Sequence, residues 1–394
     1  MSSGTRELSI SADVFSWLYY TSGCPETDVL AKTNLTPERW NRLLTASGKI
    51  SLPISIINEL ATLYKRPITA FLIAKRPEDN PVPKDFRRAA KERRYSQKAH
   101  QNFIKAQHAL RLYAEMRENI GESVSVGNFG FTLTDNPFDA ARQERHHMGT
   151  AVPDAKGNAD KIYKEWREYF TNRGVPVFQY NLNSDSIRGF VTKWGKYSGI
   201  VVNSGDAANG KIFTLFHEYA HILLGSDSVS TDDGFDAPHT EFSEIERWCD
   251  NFSGEFLMPE SLIRANEKIQ SCIRTGDYAK AAEELARTAK VSKPAALVRL
   301  RMTNVIPPDA GAEKLTKWRE EVLKRKTALK IDGETPKTSG PDGASLKINE
   351  LGSAYVSLTN RNYKLGKITY ASFLETLGIS KKSHERLQRR GLME

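Results

Sequence analysis

Apolar residues recur at helical spacing along the first part of the chain, and they predict a compact run of short helices over residues 8–75. A helix start is marked at Thr36 and Pro37, where a hydroxyl can cap free N–H groups and proline suits the first helical position. Helices are expected at residues 25–33 and 37–46. Joined by a short turn, they are typical of a helix-turn-helix unit.

The middle of the chain changes character after a helix expected at residues 158–173. Alternating, β-branched sequence predicts three short strands, at residues 175–182, 187–194 and 198–203. A strongly apolar helix is expected next at 211–224, then an acid-rich loop at 226–240 and an amphipathic helix at 241–257. This order predicts an α+β fold that is mainly helical, with a small mixed β-sheet packed on the apolar helix.

The remaining segments predict further helices and their connections. Residues 122–158 are punctuated by Gly, Asn and Pro and are expected to form a loop, whereas residues 259–303 are expected to form two helices. Residues 331–345 have the composition of a flexible linker. We therefore expect four parts: a helical domain at 1–80, a larger domain at 81–330, a linker at 331–348 and a small helical unit at 349–394.

Composition narrows the function classes moderately. The 394 residues include 57 Lys or Arg and 48 Asp or Glu, and the net charge of +9 suits nucleic acid, an acidic partner or solubility alone. The three cysteines form no CxxC pair and the N-terminus has no apolar signal segment, so a cytoplasmic protein with free thiols is expected. No run approaches the roughly 18 apolar residues of a membrane span, so no membrane partner is expected.

Residues 217–221 read His-Glu-Tyr-Ala-His and carry the clearest chemical signal. Positions i and i+4 of a helix point the same way, so His217 and His221 can reach one metal ion. Glu218 lies beside them, where it can take a proton from a water that the ion acidifies. Two buried histidines and a glutamate without partners would be unfavourable, and a metal ion removes that difficulty. The alternative is a pair of core histidines bonded to backbone carbonyls.

A catalytic zinc site needs a third protein ligand, and the amphipathic helix supplies the candidates. Glu246 and Asp250 lie one turn apart beside its apolar face, which suits a ligand and a supporting carboxylate that fixes a histidine tautomer. Glu241 and Glu244 are rivals near the helix start, where acidic residues are common because of the helix dipole alone. Glu255 is expected to face solvent.

Two stretches resemble the ImmA/IrrE family of metallopeptidases. They are KIFTLFHEYAHILLG at residues 211–225 and EIERWCDNFSGEFLMP at residues 244–259, and the likeness extends over residues 10–305. The resemblance implies a gluzincin-like fold with a helix-turn-helix-like N-terminal domain. It also implies cleavage of a DNA-binding repressor that controls a stress response or a mobile element. Two His and a carboxylate suit Zn²⁺ as the cofactor, with Mn²⁺ as the alternative. Carried onto this chain, the ligands are His217, His221 and Glu246, and the base is Glu218.

The chain departs from the family's pattern at three positions. Gly225 stands where the family often has a further His, Asp250 where it usually has Asn, and Lys211 where it often has Arg. None of these removes a ligand or the base, but they leave the metal preference and the substrate contacts open. The candidates for a group that stabilises the oxyanion are His239, Tyr197 and Arg188.

The helix-turn-helix-like N-terminal unit has two interpretations. It can contact DNA through residues such as Arg39 and Arg42, or it can be a small bundle with solvated charges that docks onto a repressor of similar fold. Residues 280–303 are also helix-turn-helix-like, with Val291 and Ser292 at the turn. We assign that segment to packing, because such helix pairs are common in all-helical domains.

Three functions stay open from the sequence. The first is an endopeptidase that binds an extended protein substrate along the strand at 198–203 by edge pairing. The second is a DNA-binding transcriptional regulator whose metal site senses or stabilises. The third is a partner protein that sequesters another chain, for which the small C-terminal unit would serve. Glu218 favours the first, because a structural metal site closes its fourth position and has no use for a base.

Overall fold

The computed structural model describes residues 6–77, 95–122, 130–149, 157–182, 187–225, 229–231, 241–332 and 343–389. Contacts within the chain define two compact units. The first comprises residues 1–83 and 88–107, and the second comprises residues 84–87 and 108–394. In the described parts of the chain, no helix combines the length and the apolar character that crossing a bilayer requires.

The first unit combines short helices with a two-stranded sheet. Strands β1 (Glu7–Ser11) and β2 (Lys49–Pro53) pair antiparallel, with Ile10 opposite Ile50. Hydrophobic spacing predicts only helices here. Each strand does alternate apolar and polar residues, but over only five residues with two apolar positions, which is too short to stand out from the helical pattern around it. The helices are α1 (Ala12–Ser22), α2 (Glu26–Thr33), α3 (Pro37–Thr45) and α4 (Ile54–Tyr64), followed by a 3₁₀ turn at Ile68–Phe71.

Trp40 of α3 lies at the centre of this unit's core. It is fully buried, and its ring contacts those of Phe15 and Tyr19 edge-on at centroid distances of 5.4 and 5.0 Å. The start of α3 is fixed by Thr36, whose hydroxyl accepts a hydrogen bond from the backbone N–H of Arg39. The predicted pair of helices around this turn is therefore present, as α2 and α3.

The second unit is built on a mixed four-stranded sheet within the described residues. Its strands are β3 (Val177–Tyr180), β4 (Ile187–Trp194), β5 (Tyr197–Asn203) and β6 (Val229–Thr231), in the order β3-β5-β4-β6. The helices before the sheet are α5 (Gln97–Asn119), of which residues from 108 onward belong to this unit, α6 (Pro137–Met148) and α7 (Ala159–Asn172). Those after it begin with α8 (Ala208–Leu223) and α9 (Glu241–Leu257). They continue with α10 (Glu260–Ala265), α11 (Glu267–Arg274), α12 (Tyr278–Ala289), α13 (Lys293–Met302) and α14 (Ala312–Asp332). The mainly helical α+β fold is confirmed.

The sheet corrects the expectation that β5 binds substrate by edge pairing. Strand β5 is hydrogen-bonded on both sides, in parallel to β3 and antiparallel to β4. Its backbone groups are therefore already paired, and they cannot accept an added strand. Sequence pattern identifies a buried strand such as β5, but strand order depends on contacts that are distant along the chain.

Helix α6 corrects the expectation of a continuous loop over residues 122–158. Its start has the same chemistry as that of α3, because the side chain of Asn136 caps two backbone N–H groups and Pro137 follows. This helix packs on α9 and buries Glu144, which accepts a hydrogen bond from the hydroxyl of Tyr219 at 2.8 Å. The Asn136–Pro137 pair is the feature of the sequence that indicates this helix start.

Glu255 is the third correction, because it does not face solvent. It is 3% exposed and pairs with Arg299 of α13 and, at 3.2 Å, with Arg142 of α6. Arg299 also donates to the carbonyl of Met258. The prediction assumed that only one face of α9 is covered, whereas α6 and α13 cover its other side and supply the countercharge that a buried carboxylate needs.

Four C-terminal helices follow; the first two pack on the sheet and on α7, and the last two pack on the first two. They are α15 (Gly343–Leu351), α16 (Ser353–Lys364), α17 (Tyr370–Leu377) and α18 (Lys381–Arg389). The rings of Phe178 in β3 and Tyr355 in α16 meet at 5.8 Å. The buried guanidinium of Arg167 in α7 donates to the carbonyls of Val177, Asn349 and Glu350 at 2.6–2.7 Å. Arg167 thereby links α7, β3 and the end of α15. The division of the chain into the four expected parts stays a prediction.

Replacing Arg167 by Met should weaken the attachment of the C-terminal helices. The change removes three charge-assisted hydrogen bonds to buried carbonyls, so the free energy of unfolding should fall by about 3 kcal/mol. Amide hydrogen exchange over residues 349–362 should accelerate. The control is Arg173→Met, which removes an exposed guanidinium that lies over the ring of Tyr169. Equal exchange in both variants would show that Arg167 does not hold these helices.

Candidate metal centre

Helix α8 brings two imidazoles to one point. It is apolar on most sides and buried in the core of the second unit, and His217 and His221 lie one turn apart on it. Their Nε2 atoms are 3.2 Å from each other, and the side chains are only 2% and 0% exposed. The spacing of the motif on a helix therefore produces the predicted convergence.

Helix α9 packs against α8 and adds a carboxylate at the same point. The two oxygens of Glu246 lie 3.2 Å from Nε2 of His217 and 3.3 Å from Nε2 of His221. Glu246 is itself buried, and the three residues offer ligand atoms that all lie within 4.8 Å of one another.

This arrangement fits a tetrahedral metal ion. Ligand atoms at about 2.0–2.1 Å from a tetrahedral zinc are separated from each other by roughly 3.3 Å, and the three separations here are 3.2–3.3 Å. Two imidazole nitrogens that face each other in a dry interior are unfavourable unless a cation lies between them. The donor set of two His and one carboxylate is of the catalytic kind, because it leaves a fourth position for water or substrate.

Asp250 fixes the orientation of one imidazole. Its Oδ1 lies 2.9 Å from Nδ1 of His217, one helical turn beyond Glu246. A proton on Nδ1 donated to Asp250 leaves the lone pair of Nε2 directed at the centre. The supporting role of Asp250 stays a prediction, and this distance is the one that it requires.

The centre is electrostatically prepared for positive charge. Burial opposes a charged imidazole at His217, but the carboxylates of Asp250 and Glu246 outweigh it and raise the pKa of His217 to about 10. Burial likewise opposes charge on Glu246, yet the two imidazoles, His217 above all, hold its pKa well below the usual range. A cation is therefore favoured at this point, whether it is a proton or a metal ion.

Glu218, the candidate base, lies where β4 approaches α8. It is fully buried, and β4 can come this close because position 189 is a glycine. A Cβ at Gly189 would lie 2.6 Å from Cγ2 of Thr214, 2.8 Å from the carbonyl of Val201 and 3.2 Å from Oε1 of Glu218. Gly189 is thus a site residue that sequence reasoning missed, and an isolated glycine inside a strand was its signal.

The sequence also offered two other carboxylates as the third ligand and three residues as oxyanion stabilisers. Glu244 is exposed on α9 and is not part of the cluster that Glu246 forms with the histidines. Glu241 is the first residue of that helix, and its side chain lies outside the described part of the structure. Tyr197 is buried at the start of β5, and its hydroxyl donates to Glu118 of α5 at 3.2 Å. Arg188 is half-buried in β4 beside Gly189, and its oxyanion role stays a prediction. His239 lies outside the described residues.

Glu246→Gln should greatly weaken metal binding, whereas Glu244→Gln should preserve it. The two substitutions make the same chemical change two positions apart on one helix, but only Glu246 faces the histidines. Loss of one of three ligands should weaken zinc binding at least 100-fold. Competition with a chelator measures the affinity, and equal values for the two variants would contradict the choice of Glu246.

Metal affinity should also rise with pH. Because the pKa of His217 is raised to about 10, the metal-free centre keeps a proton at neutral pH that the metal must displace. One displaced proton gives roughly a tenfold gain in affinity per pH unit below that pKa. Zinc affinity measured from about pH 6 to pH 8 tests this gain. An affinity independent of pH would mean that His217 is already neutral without metal.

The comparisons with known proteins agree with this geometry. Residues 170–301 match the model of the IrrE N-terminal-like domain, Peptidase_M78. The match runs from the end of α7 to the end of α13 and includes the whole cluster on α8 and α9. A comparison with curated proteins finds no match. Residues 170–301 of this chain are therefore an IrrE N-terminal-like peptidase domain, of the ImmA/IrrE family of metallopeptidases.

Proposed function

We propose that this chain is a zinc-dependent endopeptidase in which His217, His221 and Glu246 bind the metal and Glu218 is the general base. The observation that supports it best is the meeting of three buried donors at separations that suit a tetrahedral ion. Glu218 follows His217 directly in the chain and is buried with it. Two imidazoles and one carboxylate favour Zn²⁺, with Mn²⁺ as the alternative.

The residues of the centre divide the reaction between them. A bound zinc ion supplies Lewis acidity, which polarises the scissile carbonyl and makes an attacking water more acidic. Glu218 takes the proton of that water at its carboxylate and then passes it to the amide nitrogen of the leaving chain. Asp250 holds the Nδ1 proton of His217 and so keeps the ring in its binding orientation.

We further propose that the substrate is a DNA-binding transcriptional repressor that controls a stress response or a mobile element. The support is the resemblance to the ImmA/IrrE family together with the helix-turn-helix-like pair α2 and α3 in the first unit. Such a pair can dock onto a repressor of similar fold, or it can contact DNA itself. A cytoplasmic location goes with this substrate, and it stays a prediction from the sequence.

Glu218→Gln should abolish cleavage without releasing the metal. The amide keeps the size of the side chain but cannot accept the proton, so the rate should fall by a factor of about 100 to 10,000. The measurement compares new protein N-termini in cells that express the wild type, Glu218→Gln or Glu244→Gln. New termini in one helix-turn-helix repressor, with the wild type and Glu244→Gln only, would identify the substrate.

Identical N-termini in all three cultures, with zinc bound to all three proteins, would contradict the endopeptidase. The metal site would then be structural or sensory, and the chain would be a DNA-binding regulator. New termini that cluster in a protein without a DNA-binding fold would keep the peptidase but exclude the repressor as its substrate.

A further inference from the structure

The same local structure occurs three times among the residues that the structure describes. In each case a helix ends at a residue in the left-handed region, a buried apolar residue follows, and a Ser or Thr then caps the next helix. The three turns are Asn34–Leu35–Thr36, Lys290–Val291–Ser292 and Gly378–Ile379–Ser380. Their first residues have φ of +53°, +55° and +64°, and each capping hydroxyl accepts from the backbone N–H three residues later at 3.2–3.3 Å.

A three-residue turn of this kind joins the two helices of a helix-turn-helix. In DNA-binding proteins the second helix lies in the major groove, so it must be exposed and must offer polar or cationic side chains. The local turn is the same in all three copies. The surroundings of the second helix therefore decide which copy can bind DNA.

Helix α13 does not meet this requirement. Its residues Ala296, Leu297 and Leu300 belong to the main core, and Arg299 is occupied by Glu255 and the carbonyl of Met258. The expectation that this segment serves packing agrees with that burial.

Helix α3 is exposed but only weakly cationic. Its exposed side chains include the cationic Arg39 and Arg42, and also the acidic Glu38 in the first turn. The excess of one positive charge over nine residues gives little attraction for a polyanion.

Helix α18 is both exposed and strongly cationic. Lys382, Arg386 and Arg389 are exposed and follow one another at spacings of four and three, so they form one stripe along the helix. Lys381 lies beside the stripe, and Glu385 is the one acidic residue of this helix. Residues 343–389 contain eight Lys or Arg against three Glu and no Asp.

The other side of α18 is fixed against α17. His384 and Leu387 are buried, and Nδ1 of His384 lies 2.9 Å from the hydroxyl of Tyr370. The rings of His384 and Phe373 meet at 5.1 Å, and Ile379 is buried in the turn between the helices. These contacts hold the two helices in one arrangement and leave the cationic stripe on the outside.

We propose that α17 and α18 form a helix-turn-helix that binds double-stranded DNA, with α18 in the major groove. The lysines suit phosphate contacts, and the arginines suit phosphate or guanine. Duplex DNA is favoured over duplex RNA, because the major groove of A-form RNA is too deep and narrow to admit a helix. This activity is independent of the proposed peptidase.

The test is the binding of the full-length protein to a mixed-sequence DNA duplex of about 30 base pairs, followed by fluorescence anisotropy from about 50 to 200 mM salt. We expect the wild type to bind with a Kd of about 10 μM or tighter at the lowest salt. The variant Lys382→Ala/Arg386→Ala/Arg389→Ala should bind at least 10-fold more weakly. Its slope of log affinity against log salt should be smaller by about 2 to 3, because three phosphate contacts are lost.

Matched variants separate this surface from general charge and from the first unit. Lys314→Ala/Lys317→Ala/Arg319→Ala removes three exposed cations of α14, and Arg39→Ala/Arg42→Ala removes the cations of α3. Both should bind DNA within about threefold of the wild type, as should Glu218→Gln. The single variants Lys382→Ala and Arg389→Ala should each show part of the loss, so the test does not depend on the folding of the triple variant.

Several outcomes would overturn the proposal. One is a wild-type Kd weaker than about 100 μM at the lowest salt. A second is that the α18 variants bind DNA as tightly as the wild type. A third is that the α14 variant loses as much DNA affinity as the α18 triple variant, which would show that net charge alone causes the loss. A loss confined to the α3 variant would assign DNA binding to the first unit. Equal affinity for an RNA duplex of the same sequence would exclude binding through the DNA major groove.

Discussion

The contact of α8 with α9 brings two imidazoles and a carboxylate to within 3.2–3.3 Å of one another in a buried place. Neutral imidazoles so arranged repel through their lone pairs, and a buried carboxylate is costly by itself, so a cation is required. Asp250 adds a further negative charge behind His217 and strengthens that requirement. The surrounding elements hold these two helices at a separation that one small metal ion could bridge.

The sheet and the neighbouring helices supply that support. Strand β4 lies close against α8 because Gly189 has no side chain, and the carboxylate of Glu218 lies against β4 at this position. On the far side of α9, the pairing of Glu255 with Arg299 joins that helix to α13. Helix α6 contacts both α8 and α9: Glu144 of α6 accepts a hydrogen bond from Tyr219 of α8, and Arg142 of α6 pairs with Glu255 of α9. Fixed packing of this kind orients ligands more precisely than loops do.

The C-terminal helices belong to the same compact unit as the metal centre, and Arg167 attaches them through three backbone carbonyls. In our proposals, a DNA-binding helix and a peptidase centre therefore share one unit. A protease attached to DNA would meet DNA-bound proteins at a high effective concentration. This connects the cationic stripe on α18 with a repressor as the substrate, although each proposal has its own test.

The features that the sequence alone determined are those that depend on interactions between neighbouring residues. The period of α8 places His217 and His221 on one face, and the hydroxyl and proline at Thr36 and Pro37 start α3, because helical geometry and capping involve only neighbouring residues. Only the tertiary structure placed Glu246 beside the two histidines and left Glu244 exposed, paired both edges of β5 and buried Glu255 against Arg299. It also distinguished three turns of the same local form, since α13 is buried and α18 is exposed. Burial and strand order depend on residues far apart in the chain, which no local pattern records.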